Sequence, residues 1–112
     1  MTDSWQKLIS GQLDSLLQMA QETPPGDVSA ITRLRRHGSL EEVSVVMEAL
    51  ESRRRARGRL RHGETWLMDR EGMEQATRTV AAEHKARRLR SRVGEDTVID
   101  LCCGIGSDTA AL

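Results

Sequence analysis

Aromatic side chains are almost missing: the 112 residues include no Phe, no Tyr and two Trp. So few rings give little platform for stacking unpaired bases. Cysteine is confined to two neighbours, Cys102 and Cys103. Adjacent residues are poorly placed to bridge each other, and two thiols fall short of the four donors of a structural zinc site. A secreted, disulfide-stapled chain is therefore not expected, nor is a metal site. No apolar run approaches the roughly 20 residues that span a bilayer. The opening amphipathic stretch is interrupted by Gln6, Lys7 and Asp14, which argues against a secretory leader. A soluble chain in a reducing cytoplasm, with no membrane partner, is the expectation.

Charge is present in quantity. Seventeen bases balance seventeen acids, but the balance is not local. Residues 1–30 hold Lys7 against Asp3, Asp14, Glu22 and Asp27, whereas residues 33–61 hold nine arginines against four glutamates. A neutral total thus conceals a basic middle, the kind of patch that attracts phosphate.

Hydrophobic spacing predicts a mainly helical N-terminal region over residues 1–92. Trp5, Leu8, Ile9, Leu13, Leu16, Leu17 and Ala20 recur as one amphipathic helix. Thr23-Pro24-Pro25-Gly26 breaks it. Asp27 is placed to cap a second helix with Val28, Ile31 and Leu34 on one face, ending at Gly38. Ser39-Leu40-Glu41-Glu42 reads as a capping box for a third helix. Its stripe of Leu40, Val43, Met47 and Leu50 gives way to Arg54, Arg57 and Arg61, and the helix is expected to reach about residue 60, weakened at Gly58. Trp66-Leu67-Met68 suits a strand or a packed loop, and residues 69–72 read as a turn. A fourth helix is expected from Thr77 or Thr79 to about Arg90, with Val80, Ala81, Ala86 and Leu89 inward.

The most informative stretch is Val98-Ile-Asp-Leu-Cys-Cys-Gly-Ile-Gly-Ser-Asp108. A short apolar strand, Thr97 to Leu101, carries a carboxylate near its end and runs through Gly104 and Gly106 into a helix-like segment. Backbone N–H groups at such a turn point outward, and glycines let a ligand approach them. A dinucleotide fingerprint would place a third glycine where Thr109 stands, and no Gly-Lys-Ser/Thr of a P-loop follows. Asp100 would repel a pyrophosphate and suits a ligand bearing ammonium and sulfonium charges.

These residues resemble motif I of class I S-adenosylmethionine-dependent methyltransferases. The common form has glycine two residues after the acid, where this chain has Cys102. The Asp-x-x-Cys-Gly-x-Gly form is similar to the group containing trimethylguanosine synthases and bacterial THUMP-domain-like methyltransferases. Met68 to Thr77 and Val80 to His84 resemble the segment those bacterial proteins carry before motif I. The resemblance covers residues 50–112.

The resemblance implies that residues 93–112 open a Rossmann-like α/β methyltransferase domain, of which this chain holds the first strand, loop and helix. Asp100 would hold the amino group of the cofactor's methionine moiety. Gly104 and Gly106 would form the cofactor loop, Cys102, Cys103 and Asp108 would adjoin it, and Glu74, Gln75 and Thr77 would line its entrance. The acid that binds the ribose and the proline-containing catalytic motif would lie beyond residue 112, so the chain reads as a fragment with little or no activity alone. Catalytic residues are accordingly not assigned. RNA is the implied substrate class, with Arg53, Arg54, Arg57 and Arg61 as candidate phosphate contacts, joined by Arg87, Arg88, Arg90 and Arg92.

A competing expectation is a helical binding module for RNA or protein without catalysis. A lone parallel-type strand leaves both edges unpaired, so Thr97 to Leu101 calls for the rest of the domain or a second chain. Cys102 and Cys103 read as small, packable turn residues. His37 and His62 read as complements to helix C-termini.

Overall fold

A computed structural model describes residues 2–24 and 26–112. The Pro25 part of the expected proline break lies outside the described residues. Among them are seven α-helices and one 3-10 turn, with no β-strand. None of these helices is long and apolar enough to cross a membrane. The chain divides into two compact units, residues 1–51 and 52–112.

The first unit holds α1 (Asp3–Ile9), α2 (Asp14–Gln21), α3 (Val28–Leu34) and the first part of α4 (Leu40–Ala56). The single helix expected over Trp5–Ala20 is two helices. Gly11 adopts φ +83° and ends α1. The N–H of Gln12 reaches back to the Lys7 carbonyl (2.9 Å) and that of Gly11 to Leu8 (3.2 Å), the paired bonds of a Schellman stop. The apolar stripe survives the break: Leu8, Leu13, Leu16 and Ala20 are all buried, with Leu34, Val43, Val45, Val46 and Ala49 completing the core. Full burial of each of the leucines and valines is worth about 1.5–3 kcal/mol.

Caps in this unit follow the sequence closely. Asp27 accepts from the backbone N–H of Ser29 at 3.0 Å and from its hydroxyl at 2.6 Å. Ser39 and Glu42 form the reciprocal capping box, with bonds of 3.1 Å and 2.9 Å. Lys7 adds an ion pair to Glu42 at 3.1 Å, tying α1 to the start of α4. The buried faces are shifted from those expected. On α3 the inward residues are Ala30 and Leu34, while Val28 and Ile31 are exposed. On α4 they are Val43, Val45, Val46, Ala49, Ser52 and Ala56, while Leu40 is exposed. Small residues such as Ala30, Ala49 and Ser52 take positions closest to the packing surface, and Val28, Ile31 and Leu40 sit outside it.

The second unit holds the end of α4, the 3-10 turn Gly63–Thr65, α5 (Arg70–Gln75), α6 (Thr79–Val93) and α7 (Ser107–Ala111). α4 ends at Ala56 rather than near residue 60, because Gly58 takes φ +74°. Ala56, Leu60, Met68 and Met73 form a small core, with Trp66, Ala76 and Ile105 against it. Trp66-Leu67-Met68 is a packed loop without strand pairing, and the Trp66 carbonyl accepts from Arg53 Nε at 2.7 Å. Residues 69–72 are not merely a turn: Asp69 caps α5 by accepting from the Gly72 N–H at 2.7 Å. α6 buries Ala82 and Ala86 and leaves Val80 and Ala81 exposed. Thr79 anchors its start, donating its N–H to the Arg59 carbonyl (2.8 Å) and accepting the Arg61 N–H (2.7 Å).

The expected strand over Thr97–Leu101 makes no β pairing; Ile99 and Leu101 are each about 80% exposed. A strand is defined by hydrogen bonds to a neighbour. None of the described residues supplies one, so the segment runs unpaired into the glycine loop, with Leu101 already in a turn.

Candidate functional site

The glycine loop is built from backbone conformation. Cys102 (φ +57°), Gly104 (φ +59°) and Gly106 (φ +84°) alternate through the left-handed region. The Gly106 N–H closes the turn on the Cys103 carbonyl at 2.9 Å, and the Gly106 carbonyl then accepts from Ala110 at 2.8 Å as α7 begins. A Cβ added at Gly104 or Gly106 would meet nothing within 4 Å. Glycine is favoured at both positions by φ and leaves open space before the backbone. Gly72 serves a different purpose. A Cβ there would lie 2.5 Å from Ile105 Cγ2, so its missing side chain lets the loop pack onto α5.

Polar side chains latch α7 to the rest of the unit. The Ser107 hydroxyl donates to the Thr77 carbonyl. Asp108 accepts from Thr77 Oγ1 at 3.0 Å and from Lys85 Nζ at 3.0 Å and 3.3 Å. The hydrogen bond from the Lys85 ammonium, aided by Thr77, holds the Asp108 carboxyl below the usual aspartate range. Thr109 donates its hydroxyl to Asp100, so the acid ahead of the loop is held by the helix that follows it.

Asp100 and Asp108 share an open cleft of about 250 Å³ with Lys85, Ala82, Ala86, Leu89, Val98 and Ile99. One wall is the aliphatic face of α6, and the other is the unpaired segment. Two carboxylates and one ammonium line an otherwise apolar trough.

The sequence-predicted residues divide accordingly. Asp100, Gly104, Gly106, Asp108 and Thr77 lie along this loop and its latch. The Gln75 amide instead reaches Glu71 at 3.2 Å, and Glu74 is held by Arg55 (3.2 Å) and Arg70 (3.1 Å). Among the arginines, Arg53 is held by the Trp66 carbonyl and the exposed Arg61 pairs with Glu83; Arg54 and Arg57 are exposed as well. Cys102 and Cys103 lie in the loop but are not packed: both are free and exposed. Lys85 and Thr109 were not anticipated. Lys85 carried a signal, since it is one of two lysines among fifteen arginines; Thr109 carried none beyond following the motif.

No family model matches the chain, and no solved structure does. Two proteins of Mycobacterium tuberculosis do, from the strains CDC 1551/Oshkosh and H37Rv. Each bears the name of an uncharacterized S-adenosylmethionine-dependent methyltransferase. Each is 41% identical over 75 residues, which cover 60% of this chain. The chain spans 19% of the length of these curated relatives.

Proposed function

We propose that residues 52–112 contribute one wall of an S-adenosylmethionine site in a methyltransferase, with residues 93–112 as the opening of its Rossmann-like domain. The observation that carries this reading is Asp100 on the lip of the cleft, directly ahead of two left-handed glycines with open space before them. A carboxylate there pairs with the cofactor's ammonium, and glycine backbone lets the nucleoside approach. The bound cofactor supplies an electrophilic methyl group on a sulfonium. The chain's own residues orient it: Thr109 fixes the Asp100 carboxylate, and Lys85, Thr77 and Asp108 hold α7 in place. The names of the mycobacterial relatives point the same way.

RNA is the substrate class in this proposal, supported by the exposed Arg57, Arg87, Arg88, Arg90 and Arg92. Methyl transfer by these 112 residues alone is expected to be negligible, because transfer depends on aligning nucleophile and sulfonium, and they furnish a single wall. A second reading, a helical binding module without catalysis, draws on the unpaired Thr97–Leu101 segment.

The test is ultraviolet cross-linking of the native protein with methyl-labelled cofactor. Trypsin cuts after Arg92, the last base, so a label on the loop appears in the peptide from Val93 onward. Label in that peptide, lost in Gly106→Asp, is the expected result. Salt-sensitive RNA binding with no cofactor label would transfer the case to the module.

A further inference from the structure

We propose that Cys102 and Cys103 form a vicinal dithiol site for trivalent thiophilic ligands, of which organic arsenicals are the chemical class. Both thiols are free and solvent-exposed. Cys103 Sγ donates to the Gly104 carbonyl at 3.7 Å, a weak bond that a ligand displaces easily. Burial therefore does not explain why two sulfurs stand side by side on this loop.

The ligand class follows from the donor set. Among the described residues no three His, Cys, Asp or Glu side chains gather as a metal site. Zinc, which takes four protein donors in structural sites, is thus poorly served. Two sulfurs alone favour a soft centre. A linear S–metal–S arrangement cannot be spanned by neighbouring residues without distortion, whereas the bent S–As–S angle of a pyramidal arsenic suits them. Once the first sulfur is bound, the second attack is intramolecular and gains a high effective concentration.

The chemistry balances without an oxidant. An arsenoso group, R–As=O, meets two thiols; both S–H bonds break, two As–S bonds form, and the oxygen leaves as water with both protons. Arsenic and sulfur keep their oxidation states. The inference is independent of the cofactor reading, since it rests on the two thiols and their surroundings alone.

Phenylarsine oxide is the probe. The reduced chain is loaded, challenged with excess 2-mercaptoethanol, and weighed by native mass spectrometry, then treated with dimercaptopropanol. One arsenical per chain should survive the monothiol and leave with the dithiol. Cys102→Ser and Cys103→Ser, both exposed changes, should each lower retention by about a hundredfold or more, with far-ultraviolet circular dichroism unchanged. Stripping of the wild-type adduct by the monothiol, retention by either single variant, or an adduct that joins two chains would overturn the proposal.

Discussion

Cys102 occupies a backbone conformation that an L side chain adopts at a cost. Its φ of +57° places Cβ against the following carbonyl, a penalty of roughly 1–2 kcal/mol. Glycine removes that penalty but adds unfolded-chain entropy of about 0.5–1 kcal/mol. Cys102→Gly should accordingly be neutral or stabilising, by at most about 1.5 kcal/mol. Gly106→Ala should go the other way and cost up to about 1.5 kcal/mol by the same two terms, although the added methyl meets no atom within 4 Å. Urea unfolding of both variants measures the pair, and a destabilised Cys102→Gly beside a neutral Gly106→Ala would contradict the backbone account. A cysteine at such a position, exposed to solvent, is a reason to look for chemistry in the sulfur.

Among the elements, the start of α4 concentrates the local determinants. The Ser39 hydroxyl satisfies the Glu42 N–H, and the Glu42 carboxylate returns to the Ser39 N–H and to Lys7. Ser39→Ala should cost about 1 kcal/mol in thermal or urea unfolding. The same geometry sets a pH dependence. Bonding to the Ser39 N–H, reinforced by Lys7, lowers the folded-state pKa of Glu42 below its ordinary 4.5. The unfolded state then binds the proton more tightly, so this contribution is complete above pH 4.5 and is lost as pH falls through the lower folded value. Glu42→Gln should flatten the acid limb of the stability profile; an unchanged limb would mean that other carboxylates control it.

Such features were legible because they are local. Ser39-x-x-Glu42 and Asp27 specify caps within three residues of themselves, and both form. Gly11 and Gly58 act just as locally, but an unbroken apolar stripe hid the first, and a run of helix-favouring arginines made the second read as a weakening rather than a stop. The exposed faces of α3 and α6 were misread because Val28 and Val80 have the right character, while the packing surface selected Ala30, Ala82 and Ala86. For Thr97–Leu101 the sequence specifies extended backbone, but pairing needs a neighbour that local pattern cannot provide. In the site, Asp100 and the glycines were readable as a motif. The Lys85–Asp108 pair joins residues 23 apart through the packing of α6 and α7 and was not.

At the scale of the whole molecule, neutrality conceals opposition. Residues 1–51 hold four bases and eight acids, and residues 52–112 hold thirteen bases and nine acids, giving charges of −4 and +4. Much of the basic excess is on α6, where Arg87, Arg88, Arg90 and Arg92 are exposed. If this unit meets RNA, phosphate contacts release counterions, and log affinity falls with log salt by about 0.7 for each contact on a single strand. Arg87→Gln with Arg88→Gln keeps helix propensity while removing two charges. The double variant should weaken binding similarly across RNA sequences and shrink the salt slope by about 1.4, measured by fluorescence anisotropy on a labelled single strand. Arg53→Gln is the informative contrast. Its guanidinium is occupied by the Trp66 carbonyl, so it should lower stability and leave the slope near the wild-type value. A salt-independent affinity, or an unchanged slope in the Arg87/Arg88 variant, would remove α6 from the RNA surface and leave the basic unit as a solvated helix face.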